Sequence, residues 1–258
     1  MKTRQEELIA FFNKHRPVIY HDPRADSHKM AAEFAGISSQ IKNSIWFAAG
    51  EANLFYKMKA NHDLCSLPYD EMVIEFQVLK TPSDIYRSSM IKVLQKVDEN
   101  KVKVANITRH SNGWHYYGSY WVIFNIDKII VDNISYSVPG NLEDIDKHMD
   151  MDTQVLLSFL SCINCVNVKQ VEHQANRQPG KASTSRKPLY SFWTLEIDKS
   201  KNQSMGLPLG GTHASPRIHL RRGHARQYKP GVYCWVQPCL VGKKEAGVIH
   251  KDYSLKAA

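Results

Sequence analysis

Apolar and polar positions follow two different periods along this chain, and the change of period separates helical from β segments. Residues 3–14 place Leu8, Ile9, Phe11 and Phe12 on one side, at spacings of three and four that are typical of an amphipathic helix. Pro17 then stops the pattern. From residue 28 to about residue 59, apolar residues again recur at spacings of three and four. This predicts a second helical region, which two internal glycines could break into two helices.

The middle of the chain has the two-residue period of strands. Strands are predicted over residues 72–79, 88–97, 101–110, 114–126 and 128–138. Short polar turns separate them, and such close spacing favours antiparallel hairpins.

One apolar helix is predicted over residues 151–168, followed by a basic loop over 176–188 and a strand over 189–197. Further strand-like segments follow to the end of the sequence. We therefore predict an α+β protein, with a helical N-terminal half packed on antiparallel strands and a basic, mostly β C-terminal module. The predicted domains are 1–168, a partner-recognition domain, and 169–258, the basic module.

The charge is distributed unevenly between these two parts. The chain of 258 residues has a net charge of +9, but residues 169–258 contain sixteen Lys and Arg against five Asp and Glu. The remaining residues are slightly acidic. A concentrated positive field attracts polyanions such as a phosphate backbone. The alternative is a solvated basic segment without a ligand.

The sharpest candidate site is the segment 213–231, in which cations alternate with aromatic and imidazole groups. Guanidinium groups bind phosphate through two hydrogen bonds, and exposed aromatic rings stack on unpaired bases. Gly223 would allow a bend or a close approach of the backbone to a ligand. The predicted RNA- or phosphate-binding residues are Arg217, Arg221, Arg222, Gly223, Arg226, Tyr228, Lys229 and Trp235. Alternatively, Arg221 or Arg222 pairs with acidic groups of the N-terminal half.

His219 and His224 define an enzymatic alternative. A metal-independent ribonuclease needs a general base, a general acid and cations that stabilise the phosphorane, and these histidines with Arg221 or Arg222 would supply them. Histidine suits proton transfer because its ordinary pKa lies near neutrality. The competing interpretation is that one histidine caps a turn and the other contacts phosphate without proton transfer.

Other patterns indicate chemistry less specifically. Cys162 and Cys165, with Cys234 and Cys239, have the residue types of a zinc site, but an apolar helix and a strand are ordinary places for buried cysteine. The aromatic segment 114–121 could stack on bases or simply pack within a sheet. An acidic cluster could hold Mg²⁺ or begin a helix; it comprises Glu143, Asp144, Asp146, Asp150 and Asp152.

Several classes of protein lack a starting motif in this sequence. It contains no phosphate-binding P-loop, dinucleotide-binding glycine motif, HExxH or GxSxG motif. There is no apolar run of the roughly 20 residues that a membrane helix requires. Five cysteines at irregular spacing are not the framework of a secreted domain. We expect a cytoplasmic protein without a membrane partner, metal or cofactor.

Part of the C-terminal region resembles a signature of a family of phage and prophage proteins. The resemblance begins at Pro216, includes the Arg-Arg-Gly-His sequence and continues to Trp235 and Pro238. Its characterised relatives include an anti-CRISPR protein that counters a type V-A CRISPR nuclease. The resemblance is specific over residues 213–242 and diffuse over 153–168 and 176–188. Before residue 150 it extends only to a similar order of helices and strands. Ala225 departs from the family pattern, because relatives often carry Trp there.

The resemblance implies a bacterial host cell and a mode of action on a message. In that mode of action, the family's inhibitor recognises the emerging N-terminal peptide of its target, and the corresponding mRNA is lost during translation. From it we expect a phage-encoded counter-defence or regulatory protein whose partners are RNA or the ribosome and a nascent defence nuclease. Two alternatives stay open at this point: the metal-independent ribonuclease, and a protein-only inhibitor that covers an acidic surface of its partner.

Overall fold

The computed structural model describes residues 4–14, 27–78, 88–110, 113–125, 128–136, 142–174, 191–198, 217–221, 223–237, 239–241 and 243–248. The helices in these ranges are α1 (Arg4–Lys14), α2 (Ser27–Asn43), α3 (Ala52–Tyr56) and α4 (Leu142–Ile163), with a 3₁₀ turn at His62–Leu64. The strands are β1 (Ile45–Glu51), β2 (Glu71–Val78), β3 (Ser88–Asp98), β4 (Lys101–His110), β5 (Gly113–Phe124), β6 (Ile129–Tyr136), β7 (Val168–His173), β8 (Phe192–Ile197), β9 (Arg217–Arg221), β10 (His224–Lys229), β11 (Val232–Val236), β12 (Cys239–Val241) and β13 (Lys243–Val248).

An eight-stranded sheet forms the centre of this mixed α+β fold. Its strand order is β6-β5-β4-β3-β2-β1-β8-β7. The strands β2 to β6 are joined as successive antiparallel neighbours, which confirms the predicted hairpins. Strand β1 runs parallel to both β2 and β8, so the sheet is mixed rather than purely antiparallel.

Strand β1 lies inside the region that the sequence pattern assigned to helix, and that part of the prediction is wrong. Trp46 and Phe47 are both buried, Trp46 in the core on one face of the sheet and Phe47 in the core on the other. A central parallel strand covered on both faces is apolar at consecutive positions, so it lacks the alternation that identifies a strand. The helix prediction holds for α2, which ends at Asn43.

Helices cover the two faces of the sheet separately. Helices α1 and α2 bury Leu8 and Ile41 on one face, whereas α4 buries Leu156 and Phe159 on the other. Helix α4 begins nine residues before the predicted start at 151 and ends at Ile163, because β7 follows at Val168.

The sheet also crosses the predicted boundary between domains. Strand β7 begins at residue 168 and β8 lies entirely after it, yet β8 pairs with β1 through Phe47 and Trp193. The core under α4 contains Tyr233 and Trp235 as well. Residues 1–168 and 169–258 therefore contribute to one sheet and one core, because strands from both sides of the boundary are hydrogen-bonded neighbours.

A buried charge lies where α4 packs on the sheet. Lys92 of β3 has 0% of its surface exposed, and its Nζ donates to Asn106 Oδ1 at 2.7 Å. The same Nζ lies 3.6 Å from Asp152 Oδ1 of α4. Burial lowers the pKa of Lys92, and the nearby Asp152 carboxylate opposes that shift. The pair joins β3 to α4 inside the core, where a charge without a partner would be costly.

Candidate nucleic-acid interface

The strands β10 and β11 form an antiparallel hairpin that carries the second half of the candidate segment. Its register pairs His224 with Val236 and Arg226 with Cys234. Gly231 closes the turn with φ of 72°, in the left-handed region that favours glycine. The register shifts between Gln227 and Lys229, so Tyr228 lies at an irregularity of the strand.

Hydrogen bonds attach the hairpin to three residues outside it, Asn167, Asp63 and Val166. The Asn167 side chain accepts a hydrogen bond from the backbone N of Trp235 at 2.6 Å and donates to the Trp235 carbonyl at 3.0 Å. Tyr233 donates its hydroxyl to Asp63 Oδ2 at 2.5 Å. The backbone N of Val166 donates to the Tyr233 carbonyl at 3.0 Å. Strand β11 is thus fixed against the segment that follows α4.

The cations of β10 point away from this attachment. Arg226 and Lys229 are exposed, and His224 and Tyr228 are half-buried. The Lys229 Nζ lies 5.8 Å from the centroid of the Tyr228 ring. Two exposed cations beside a partly exposed ring can hold a phosphate and stack on a base.

Trp235 must be removed from the predicted binding residues. Only 4% of its surface is exposed, and it packs in the core under α4 together with Tyr233. The two-residue period of β11 explains the error, because it turns Tyr233 and Trp235 toward the core. A ring enclosed in this way has no face open to a base. In this structure Trp235 packs the hairpin against the core.

The first half of the candidate segment forms β9, which lies between β12 and β13. The backbone is extended over Arg217–Arg221. The side chains of Arg217, His219 and Arg221 lie outside what the structure describes, as does all of Arg222. Gly223 is buried at the start of the hairpin. The proposed pairing of His219 with His224 in proton transfer therefore stays a prediction.

Lys59 is a cation of this surface that the sequence analysis missed. An isolated parallel β-bridge pairs Lys59 with His224, at the first residue of β10. Lys59 is exposed, whereas its neighbours Met58 and Ala60 pack against the core. Lys59 fell inside the predicted helical region, so its bridge to β10 was not expected.

Three of the four cysteines considered for a zinc site have described side chains, and these three are buried. Cys162, Cys165 and Cys234 are buried, and burial raises the pKa of each thiol. The side chain of Cys239 is not among the described side chains. Within the described ranges, no three His, Cys, Asp or Glu side chains are grouped so as to hold a metal ion.

The acidic cluster and the aromatic segment both contain side chains that are buried in the structure. Asp152 pairs with Lys92, while the side chains of Glu143, Asp144 and Asp146 fall outside the described residues. In the aromatic segment 114–121, Tyr116 and Tyr120 are buried in the two cores, which favours packing over base stacking. Among the helices that the structure describes, none combines the length and apolar character needed to cross a membrane.

Comparison of the chain with protein-family models, curated proteins and solved structures found no match. The resemblance to the phage and prophage family stays a prediction that rests on the residues quoted for it. The case for a function therefore depends on the geometry and charge of this surface.

Proposed function

We propose that this protein binds RNA through β9 and the β10–β11 hairpin, and that it lowers the expression of a target to which that RNA belongs. The observation that carries the proposal is the exposure of Arg226 and Lys229 on a hairpin whose other face is fixed to the core. The attachment fixes the backbone of the hairpin, so that a ligand has only the side chains of these cations to order.

The charge of the surrounding sequence supports a polyanionic ligand. The excess of Lys and Arg lies in residues 169–258, which include the hairpin. Such a field attracts phosphate backbones and accelerates their association. The partly exposed Tyr228 ring favours an unpaired nucleic acid over a simple anion, because bases stack on aromatic faces.

The regulatory role is the part of the proposal that the family resemblance supports. A phage-encoded protein that acts on a message during translation needs a surface for RNA or ribosome and a surface for the nascent target. We place the first on the basic hairpin, and we expect a bacterial cytoplasm as the setting.

Crosslinking in cells tests the proposal. Wild type would be compared with Arg226→Gln/Lys229→Gln, and with Lys42→Gln/Lys128→Gln as a control that removes the same charge from two other exposed lysines. RNA crosslinked to each protein would be sequenced. We expect enrichment on particular messages or on ribosomal RNA in wild type and in the control, and its loss in the hairpin variant.

Two other outcomes would replace this proposal. Equal RNA recovery from all three proteins, at the level of an unrelated protein, would favour the protein-only inhibitor that covers an acidic partner surface. Cleavage of RNA by purified wild type in EDTA, lost in His224→Ala, would favour the metal-independent ribonuclease.

A further inference from the structure

We infer that Lys59 belongs to the same ligand surface as the hairpin, so that a single strand of RNA crosses from β10 onto the segment that follows α3. The inference rests on the proposed function and adds to it a route for the ligand. That route includes a residue far from the basic segment in sequence.

The pairing of strands places Lys59 beside His224. In a parallel pair, bridged residues lie about 4.8 Å apart and project to the same face. The packing of the neighbours agrees with that geometry, because Met58 and Ala60 contact the core, as does Ala225 of β10. Lys59 and His224 therefore project together to the opposite face, and alternation along β10 adds Arg226 to it.

The register shift between Gln227 and Lys229 pairs Lys229 with Val232, which puts Lys229 on the same face as Arg226. The result is a row of cations that starts at Lys59 and continues along β10 to Lys229. The five residue steps from His224 to Lys229 span about 17 Å at the rise of an extended strand. Lys59, Arg226 and Lys229 are exposed along this row. Lysine is a compact point charge that contacts phosphate without a fixed geometry, which suits a flexible backbone.

Single-stranded RNA fits the row better than a duplex. The exposed cations lie on one narrow hairpin and one adjoining segment, which matches the width of one backbone. The Tyr228 ring lies at the far end beside Lys229, and only an unpaired base can stack on it. We therefore assign the phosphates to Lys59, Arg226 and Lys229 and a base to Tyr228.

Binding measured at several salt concentrations tests this route. The probe is a fluorescein-labelled uridine 12-mer, and the proteins are wild type, Lys59→Gln, Arg226→Gln and the control Lys128→Gln. Each phosphate contact to a single strand contributes about 0.7 to the slope of log affinity against log salt. Lys59→Gln should therefore lower the magnitude of that slope by about 0.7 and weaken binding about fourfold at 0.15 M salt.

The outcomes separate this inference from the proposed function. If Lys59→Gln behaves like Lys128→Gln while Arg226→Gln weakens binding, the route over Lys59 is wrong and RNA binding by the hairpin stands. If wild type does not bind the 12-mer, both fail. Preference for a duplex of the same length would also overturn the single-strand assignment. Because Lys59 is exposed, Lys59→Gln should unfold at the wild-type temperature, which excludes misfolding as the cause of a loss.

Discussion

Asn167 and Trp235 are joined through both hydrogen-bonding groups of the Trp235 backbone. The amide side chain of Asn167 takes the place of a neighbouring strand, accepting from the Trp235 N–H and donating to its carbonyl. Asn167 is itself 0% exposed. Buried peptide groups need partners, and here one side chain supplies two.

Asn167→Ala should therefore destabilise the fold strongly. It leaves a buried N–H and a buried C=O without partners, at about 1–3 kcal/mol for each group. Urea unfolding followed by tryptophan fluorescence would measure the loss. Asn167→Asp keeps the acceptor and removes the donor, and Gln154→Ala is a control that removes a half-buried amide elsewhere. A stability of Asn167→Ala equal to that of the control would contradict the role given to this side chain.

The pair of Lys92 and Asp152 predicts non-additive effects of substitution. Lys92→Met leaves the Asp152 carboxylate buried without its cation, which costs about 3–5 kcal/mol. Asp152→Leu likewise leaves the Lys92 ammonium buried without the Asp152 carboxylate. The double variant removes both charges, so it should cost much less than the sum of the two single variants. Additive free energies of unfolding would show that the two charges do not interact.

The lowered pKa of Lys92 also predicts a pH dependence. Burial holds the pKa of Lys92 in the folded chain below its ordinary value of 10.5, which applies in the unfolded chain. At a pH between the folded and the unfolded pKa, the unfolded chain therefore binds more protons than the folded chain. The contribution of Lys92 to stability therefore rises with pH through this window and is complete above 10.5. The difference in unfolding free energy between wild type and Lys92→Met should grow in that direction. A difference that stays constant with pH would contradict the shift.

The buried thiols predict the opposite trend at alkaline pH. Burial raises the pKa of Cys65 from 9.0 to about 11, against a smaller opposing effect of the Ser161 hydrogen bond. The stabilisation is therefore complete below pH 9 and is lost as the pH rises through 11. The advantage of wild type over Cys65→Ala should shrink by up to about 1.4 kcal/mol per pH unit in that range. An advantage that persists to pH 11 would argue against a buried, protonated thiol.

Tyr228 and Trp235 should respond differently to substitution. Tyr228→Ala removes the partly exposed ring, and loss of a stacked base costs about 1–3 kcal/mol of binding free energy. Trp235→Phe leaves a space in the core and should lower stability by about 1–2 kcal/mol while RNA affinity stays unchanged. Titration with the uridine 12-mer and thermal unfolding measure the two effects. Loss of affinity in folded Trp235→Phe would restore Trp235 to the binding surface.

The sequence was sufficient for elements whose pattern is local. Helix α1 and the strands β2 to β6 lie where periodicity predicted them, because each shows one clear period along its own residues.

The prediction failed where burial depends on distant segments. Strand β1 reads as helix because both of its faces are covered, by α2 on one side and α4 on the other. Lys92 looks like an ordinary polar position of a strand, because its partner Asp152 is on a helix much later in the chain. The contribution of Lys59 to the candidate surface depends likewise on a bridge to His224, which no local pattern reveals.

The position of β1 between β2 and β8 limits how the protein can be divided for study. A fragment that stops at residue 168 retains β1 but lacks the strand that covers its second edge. That edge belongs to an apolar strand with unpaired backbone donors and acceptors, and such edges recruit other chains. More of the fragment than of the full chain should therefore be found in the insoluble fraction after expression.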